Sequence, residues 1–168
     1  MSFVLIPHPD VILSLRKIQN KFIADVNKNL HKPSVFPSYP LWLPLEIDSL
    51  KADTAADSAD TLKLLKGNIS EIFLEKIEVE NISICFLCSY FLGKNKLCGK
   101  IKFAFFNRGS LNGSGKNQDA YSTAHKTAIE TAEKMSSCLP EKIKIFELGT
   151  ASFNNFSWQT EKTVWVKK

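Results

Sequence analysis

The feature that most constrains the fold is a change in hydrophobic period near residue 71. Upstream of it, apolar residues recur every three or four positions between Val11 and Leu30, which predicts an amphipathic helix capped by Asp10. From Glu71 onward the period is two over three consecutive stretches, IFLEKIEVE, ISICFLCSYF and LCGKIKFAFF. Three such strands in succession predict an antiparallel meander.

The remaining elements complete an α+β pattern. The sequence predicts further strands at 2–7, 36–46, 142–152 and 158–168, and further helices at 48–67 and 119–138. This order favours antiparallel sheets flanked by helices. A length of 168 residues, 44% of them apolar, indicates one domain spanning residues 1–168. Eight residues on the apolar side of their local period are expected in the core: Leu15, Phe22, Val26, Leu41, Leu43, Ile84, Phe103 and Ile145.

Several classes of protein are disfavoured by the composition. The first ten residues, MSFVLIPHPD, lack a basic segment, and no run approaches the roughly 20 apolar residues of a membrane span. We therefore expect a soluble cytoplasmic protein with reduced thiols and no membrane partner. Cys85 and Cys88 have C-x-x-C spacing, but an odd separation within a strand points them to opposite faces, so neither a metal site nor a cofactor is expected.

The net charge of +5 is unevenly distributed. No acidic residue occurs between Glu80 and Asp119, so this interval is expected to carry positive potential. Its basic residues are Lys94, Lys96, Lys100, Lys102, Arg108 and Lys116. Two interpretations fit, a solvated sheet edge that resists edge-to-edge pairing and a face that binds anions or nucleic acid.

Two stretches partly match known nucleotide- or RNA-binding motifs, but neither match is complete. The loop GSLNGSGKN at 109–117 lies between a strand and a helix, as a phosphate-binding loop does, but its spacing is one residue too long. Asn117 also replaces the Ser or Thr that would hold magnesium. The strand KIKFAFFN faintly matches the RNA-recognition octamer, yet period two places Ile101, Phe103 and Phe105 together on a core face.

The first third of the chain resembles a known superfamily. A strand ending in IPHPD, a basic helix containing LRKIQ and the proline-flanked stretch FPSYPLWLPLE resemble the two-histidine phosphoesterases. That group includes bacterial 2'-5' RNA ligases and cyclic phosphodiesterases. The resemblance implies a bilobal fold with a groove in which two His-x-Thr/Ser motifs act as general acid and base. Pro40 and Trp42 stand where the first motif would be, and neither can transfer a proton.

The three histidines offer no replacement pair. His8 lies at a strand end and His31 follows a helix end. His125 begins His125-Lys126-Thr127, but it falls in a helical pattern, where residues two apart diverge by about 200°. No catalytic residue is therefore predicted.

The resulting hypothesis is a non-catalytic protein on a phosphoesterase-like scaffold that binds RNA, a nucleotide or another phosphorylated ligand. The predicted ligand-binding residues are Pro40, Trp42, Lys100, Lys102, Arg108 and Lys116. Two alternatives stay open, an active phosphoesterase with displaced histidines and a protein-interaction domain. The sequence gives no indication of oligomeric state.

Overall fold

A computed structural model describes residues 2–45, 63, 65–107, 115–154 and 157–165. Within these residues the chain forms two antiparallel sheets and two long helices, which confirms the predicted α+β class. None of the described helices is long and apolar enough to cross a membrane.

Helix α1 spans Pro9–Asn27, and its N-cap is His8 rather than the predicted Asp10. The Nδ1 atom of His8 accepts a hydrogen bond from the backbone N–H of Asp10, at 3.3 Å. Pro9 occupies the first turn, where a missing N–H removes no helical hydrogen bond. Asp10 lies in the same turn, where its charge suits the positive end of the helix dipole.

Helix α2 spans Gly115–Ser136 and begins before the predicted Asp119. Its buried small residues Ala124, Ala128 and Ala132 allow the helix to approach the sheet closely. The predicted helix at 48–67 falls mostly outside the described residues; 63 and 65–68 are helical, and Leu65 is buried.

The meander predicted from the period-two stretches forms the centre of a five-stranded sheet. Its members are β2 (Val35–Pro37), β4 (Ile69–Val79), β5 (Ser83–Leu92), β6 (Asn95–Phe106) and β7 (Lys142–Ile143). Their order across the sheet is β2-β6-β5-β4-β7. We call it the meander sheet.

A four-stranded sheet brings the two ends of the chain together in the order β3-β1-β8-β9. Its members are β1 (Ser2–Pro7), β3 (Leu43–Pro44), β8 (Ile145–Asn154) and β9 (Ser157–Trp165). We call it the terminal sheet. The strand predicted at 142–152 is divided between β7 of the meander sheet and β8 of the terminal sheet. The strand predicted at 158–168 corresponds to β9, which pairs with β8.

The proline-rich stretch 36–46 is not the single strand predicted. It contributes to β2 at one edge of the meander sheet and supplies β3 at one edge of the terminal sheet, with a cis peptide bond between Tyr39 and Pro40. Edge positions agree with the expectation that proline, which has no N–H to donate, cannot sit within a ladder. The stretch therefore crosses from one sheet to the other.

A main core cluster lies between the helices and both sheets. Of the eight residues predicted to be buried, seven are at most 1% exposed. Ile145 is the exception, since it is only partly buried against the cluster. It pairs with Pro7 where the register between β1 and β8 shifts, at the end of the sheet.

Gly99 on β6 lets the two sheets pack closely. A Cβ atom at this position would lie 2.8 Å from Cδ1 of Leu43 and 3.4 Å from the carbonyl oxygen of Pro44. Both neighbours belong to β3 in the terminal sheet. The absence of a side chain at Gly99 therefore allows β3 to rest against β6.

Candidate functional site

Each sheet has one side that packs on the main core and one side on which no described helix packs. The main cluster joins helical residues such as Phe22 and Ala128 to strand residues of both sheets. A second, smaller cluster contains only strand residues among its members. It consists of Val4, Ile6 and Ala151, flanked by Trp42 and Trp158.

Aromatic side chains connect the uncovered sides of the two sheets. Phe105 of β6 contacts Phe153 of β8 with ring centroids 6.3 Å apart, and Phe153 contacts Trp158 of β9 at 5.0 Å. Phe36 is the register partner of Phe105, so it lies on the same side of the sheet. We call Phe36, Phe105, Phe153, Trp158 and Trp42 the aromatic row. Phe36 is 43% exposed and Phe153 is 37% exposed.

A β-bulge places Phe105 in this row, contrary to the sequence prediction. Period two puts Phe105 on the same face as Ile101 and Phe103. In the structure the register between β5 and β6 shifts, so that Phe103 is left without a partner in the ladder. Phe103 and Ala104 both join the main core, and Phe105 turns to the opposite face.

Lys102 lies beside the aromatic row on the same face. It is the register partner of Cys85, and Phe105 is the partner of Ser83, two residues earlier on β5. Lys102 is exposed and forms no ion pair among the described residues. Its positive charge helps to lower the pKa of Glu80, but no described carboxylate lies within ion-pair distance, so the ammonium group can contact an anion placed near Phe105.

Lys100 lies on the same face, but it is engaged by two carboxylates. Its Nζ donates to Oε1 of Glu78 at 3.0 Å and to Oε1 of Glu80. The hydrogen bonds to Glu80 and Glu78 raise the pKa of Lys100. Burial alone would raise the pKa of Glu80, but hydrogen bonds from Lys100 and Ser83 outweigh it, and the pKa is lowered. Lys100 belongs to the acid-free interval of the sequence, but in the folded chain it is paired with two acidic residues, Glu78 in β4 and Glu80 just after it.

The other predicted ligand-binding residues are only partly described. Pro40 is half-buried and follows the cis bond that separates β2 from β3. Trp42 packs on the small cluster, as Trp158 does, and is counted in the aromatic row for that reason. Arg108 lies outside the described residues. Lys116 falls in the first turn of α2, and its side chain also lies outside the described part.

His8 and His31 do not form a family-type pair. His8 and His31 flank α1, a helix of 19 residues, and are therefore separated by about 28 Å at 1.5 Å per residue. His125 lies against the rings of Phe106 and Tyr121, at 5.4 and 5.5 Å. Its Nε2 atom is buried and has no hydrogen-bond partner among the described residues.

His125 also lines a cavity of about 510 Å³ beside α2. Tyr121, Ser122 and Glu133 line the same cavity, and His125 is the only histidine among its described lining residues. A second cavity of about 590 Å³ is lined by residues of both α1 and α2. Neither cavity includes a described member of the predicted ligand-binding set.

The two C-x-x-C thiols lie on opposite faces, as their spacing predicts. Cys88 belongs to the main core, while Cys85 shares its face with Lys102. Both are fully buried free thiols. Burial raises the pKa of Cys85 to about 12 and that of Cys88 still further. No cluster of three or more His, Cys, Asp or Glu side chains suited to a metal ion occurs among the described residues.

Sequence reasoning selected Trp42 and Lys102 but missed most of the aromatic row. Phe36, Phe105, Phe153 and Trp158 come from four different strands, and nothing in their local patterns connects them. The only feature of the sequence that could have indicated these residues is that three short segments, VFP, SFN and SWQ, each contain an aromatic residue. No family model, curated protein or solved structure matches this chain.

Proposed function

We propose that this protein is a non-catalytic binding protein that holds single-stranded RNA on the aromatic row. The observation that carries the proposal is the contact series Phe105–Phe153–Trp158, which lies on an uncovered sheet face next to the exposed Lys102. Exposed rings beside a free ammonium group are the two parts that single-stranded nucleic acid requires.

Stacking would supply most of the affinity. Bases have apolar faces that pack against aromatic rings, and each such contact is worth about 1–3 kcal/mol by alanine substitution. Phe36 and Phe153 each expose more than a third of their surface, so their rings are accessible without rearrangement of the core. Lys102 would then hold the phosphate that joins the stacked nucleotides.

The phosphoesterase-like scaffold remains part of the proposal. In the resembled superfamily the catalytic groove lies on a strand that corresponds to the Pro40–Trp42 segment. Trp42 packs on the same small cluster as Trp158, on the uncovered face, which supports a binding groove in which a proton-transfer group has been replaced by a stacking group. The alternative protein-interaction domain would use the same aromatic residues without requiring Lys102.

The test is binding of a fluorescein-labelled single-stranded hexauridylate, measured by fluorescence polarisation. Phe153→Ser should weaken binding about 5- to 150-fold, which is about 1–3 kcal/mol of lost stacking. Lys102→Glu should weaken it and reduce the dependence of affinity on salt, because one phosphate contact is lost.

Matched controls separate the site from general effects. Leu13→Ser removes an apolar side chain that is 59% exposed on α1, and Lys28→Glu makes the same charge change as Lys102→Glu just after α1. Both controls should bind as the unaltered protein does, and thermal unfolding should show that all four variants are folded. Equal binding by Phe153→Ser and Leu13→Ser would refute the proposed site.

A further inference from the structure

We propose that Glu78 and Glu80 restrict the bound strand to about two or three nucleotides, an inference that rests on the proposed function. These carboxylates lie on the same face as the aromatic row and Lys102. Glu78 is the register partner of Cys85, and Cys85 is in turn the partner of Lys102. Two strand spacings of about 4.8 Å therefore separate Glu78 from Lys102.

Both carboxylates are held in place by hydrogen bonds. Glu80 accepts a hydrogen bond from Oγ of Ser83 at 2.7 Å and another from Lys100. Glu78 accepts from Lys100 at 3.0 Å. Glu75, farther along β4, accepts a hydrogen bond from Oγ of Ser89, which adds a third carboxylate to this face.

The charge available to a phosphate differs between Lys102 and the cluster that Lys100 forms with Glu78 and Glu80. At Lys102 an ammonium group is free of ion pairs among the described residues. At Lys100, the next residue on that face, one ammonium group is shared by two carboxylates, so the local charge is about −1 if all three groups are ionised. A phosphate that passes Lys102 toward Lys100 would meet repulsion instead of a counter-ion.

The number of accessible rings in the aromatic row also limits the bound strand to about three nucleotides. Phe105 is almost buried, so the accessible rings connected to it by register or ring contacts are those of Phe36, Phe153 and Trp158. Three rings accommodate at most about three bases, with one or two phosphates between them. The glutamates therefore act as a boundary of the site and favour a short strand or the end of a longer one.

The test compares labelled oligouridylates of two, three, six and nine nucleotides. Affinity should rise up to three nucleotides and change less than about threefold from three to nine. The slope of log affinity against log salt should be about −0.7 to −1.4, which corresponds to one or two phosphate contacts on a single strand.

A double variant, Glu78→Gln with Glu80→Gln, should remove the boundary and release Lys100. The glutamine side chains keep an acceptor oxygen for Ser83, so the strand end is preserved. The nine-nucleotide strand should then bind about tenfold more tightly and with a slope steeper by about 0.7, while the dinucleotide changes little. The matched control is Glu130→Gln with Glu133→Gln on α2, which alters net charge equally and should not distinguish the two lengths.

Three results would overturn the inference. One is a gain of more than tenfold from three to nine nucleotides in the unaltered protein, which would mean that the site extends past Lys100. Another is a double variant that behaves like its α2 control. If no oligouridylate of any length binds, the proposed function fails and this inference fails with it, whereas affinity that keeps rising more than tenfold from three to nine nucleotides overturns the inference alone.

Discussion

At the scale of single residues, the buried thiols of Cys85 and Cys88 make stability depend on pH. Burial raises the pKa of Cys85 to about 12 and also raises that of Cys88, whereas both thiols ionise at about pH 8.5 in the unfolded chain. Above that pH the unfolded state binds fewer protons than the folded state. The free energy of unfolding should therefore fall as pH rises, by up to about 1.4 kcal/mol per pH unit for each thiol.

Urea unfolding between pH 8 and pH 10 measures this slope. Cys88→Ala should lower stability at every pH because it leaves a cavity, but its slope should be shallower by up to about 1.4 kcal/mol per pH unit. Cys138→Ala, which removes an exposed thiol, should keep the original slope. A Cys88→Ala slope equal to that of the unaltered protein would show that Cys88 ionises equally in both states.

At the scale of elements, Gln19 fixes α1 to the meander sheet at the bulge. Its side chain is fully buried, and Nε2 donates to the carbonyl oxygens of Ser38, at 3.0 Å, and Phe103, at 2.6 Å. Gln19→Glu has nearly the same shape, yet it would place a carboxylate against two carbonyl oxygens. We expect a loss of about 3 kcal/mol or more in the free energy of unfolding at pH 7.5.

The same exchange on the exposed side of α1, Asn20→Asp, is the control and should change stability by less than about 0.5 kcal/mol. The Gln19→Glu defect should shrink near pH 5. A buried carboxyl has a raised pKa, so the variant regains stability as pH falls and the group is protonated. A loss below about 1 kcal/mol at pH 7.5 would mean that the two hydrogen bonds are replaced easily.

The elements show what local patterns determine. Strands β4, β5 and β6 were predictable because their apolar residues alternate and short turns separate them. The break of the stretch 36–46 into β2 and β3 was not predictable in detail, although its prolines indicated edge positions. The face of Phe105 was predicted wrongly because the bulge at Phe103 depends on pairing with β5 and has no signature in the sequence of β6 alone.

At the scale of the whole molecule, the candidate site depends on contacts between distant parts of the chain. Phe36, Phe105 and Phe153 belong to β2, β6 and β8, and only the order of strands in the two sheets brings them together. The pairing of Lys100 with Glu78 depends on strand register in the same way. The sequence could therefore indicate that aromatic and basic residues form the site. It could not indicate which of them lie together, or that carboxylates neutralise Lys100.

The final prediction concerns catalysis by the whole molecule. A two-histidine mechanism needs two groups on one phosphodiester, each worth about 10²- to 10⁴-fold in rate. His8 and His31 stand at opposite ends of α1, and Nε2 of His125 is buried. We expect purified protein to leave 2',3'-cyclic nucleotides intact over hours at pH 7, as followed by chromatography with a ribonuclease as positive control.

Turnover that disappears in His8→Ala, His31→Ala or His125→Ala would instead identify an enzyme, because a contaminating activity would not change with these substitutions. The same preparations should still bind hexauridylate, since the aromatic row and Lys102 contain none of the three histidines.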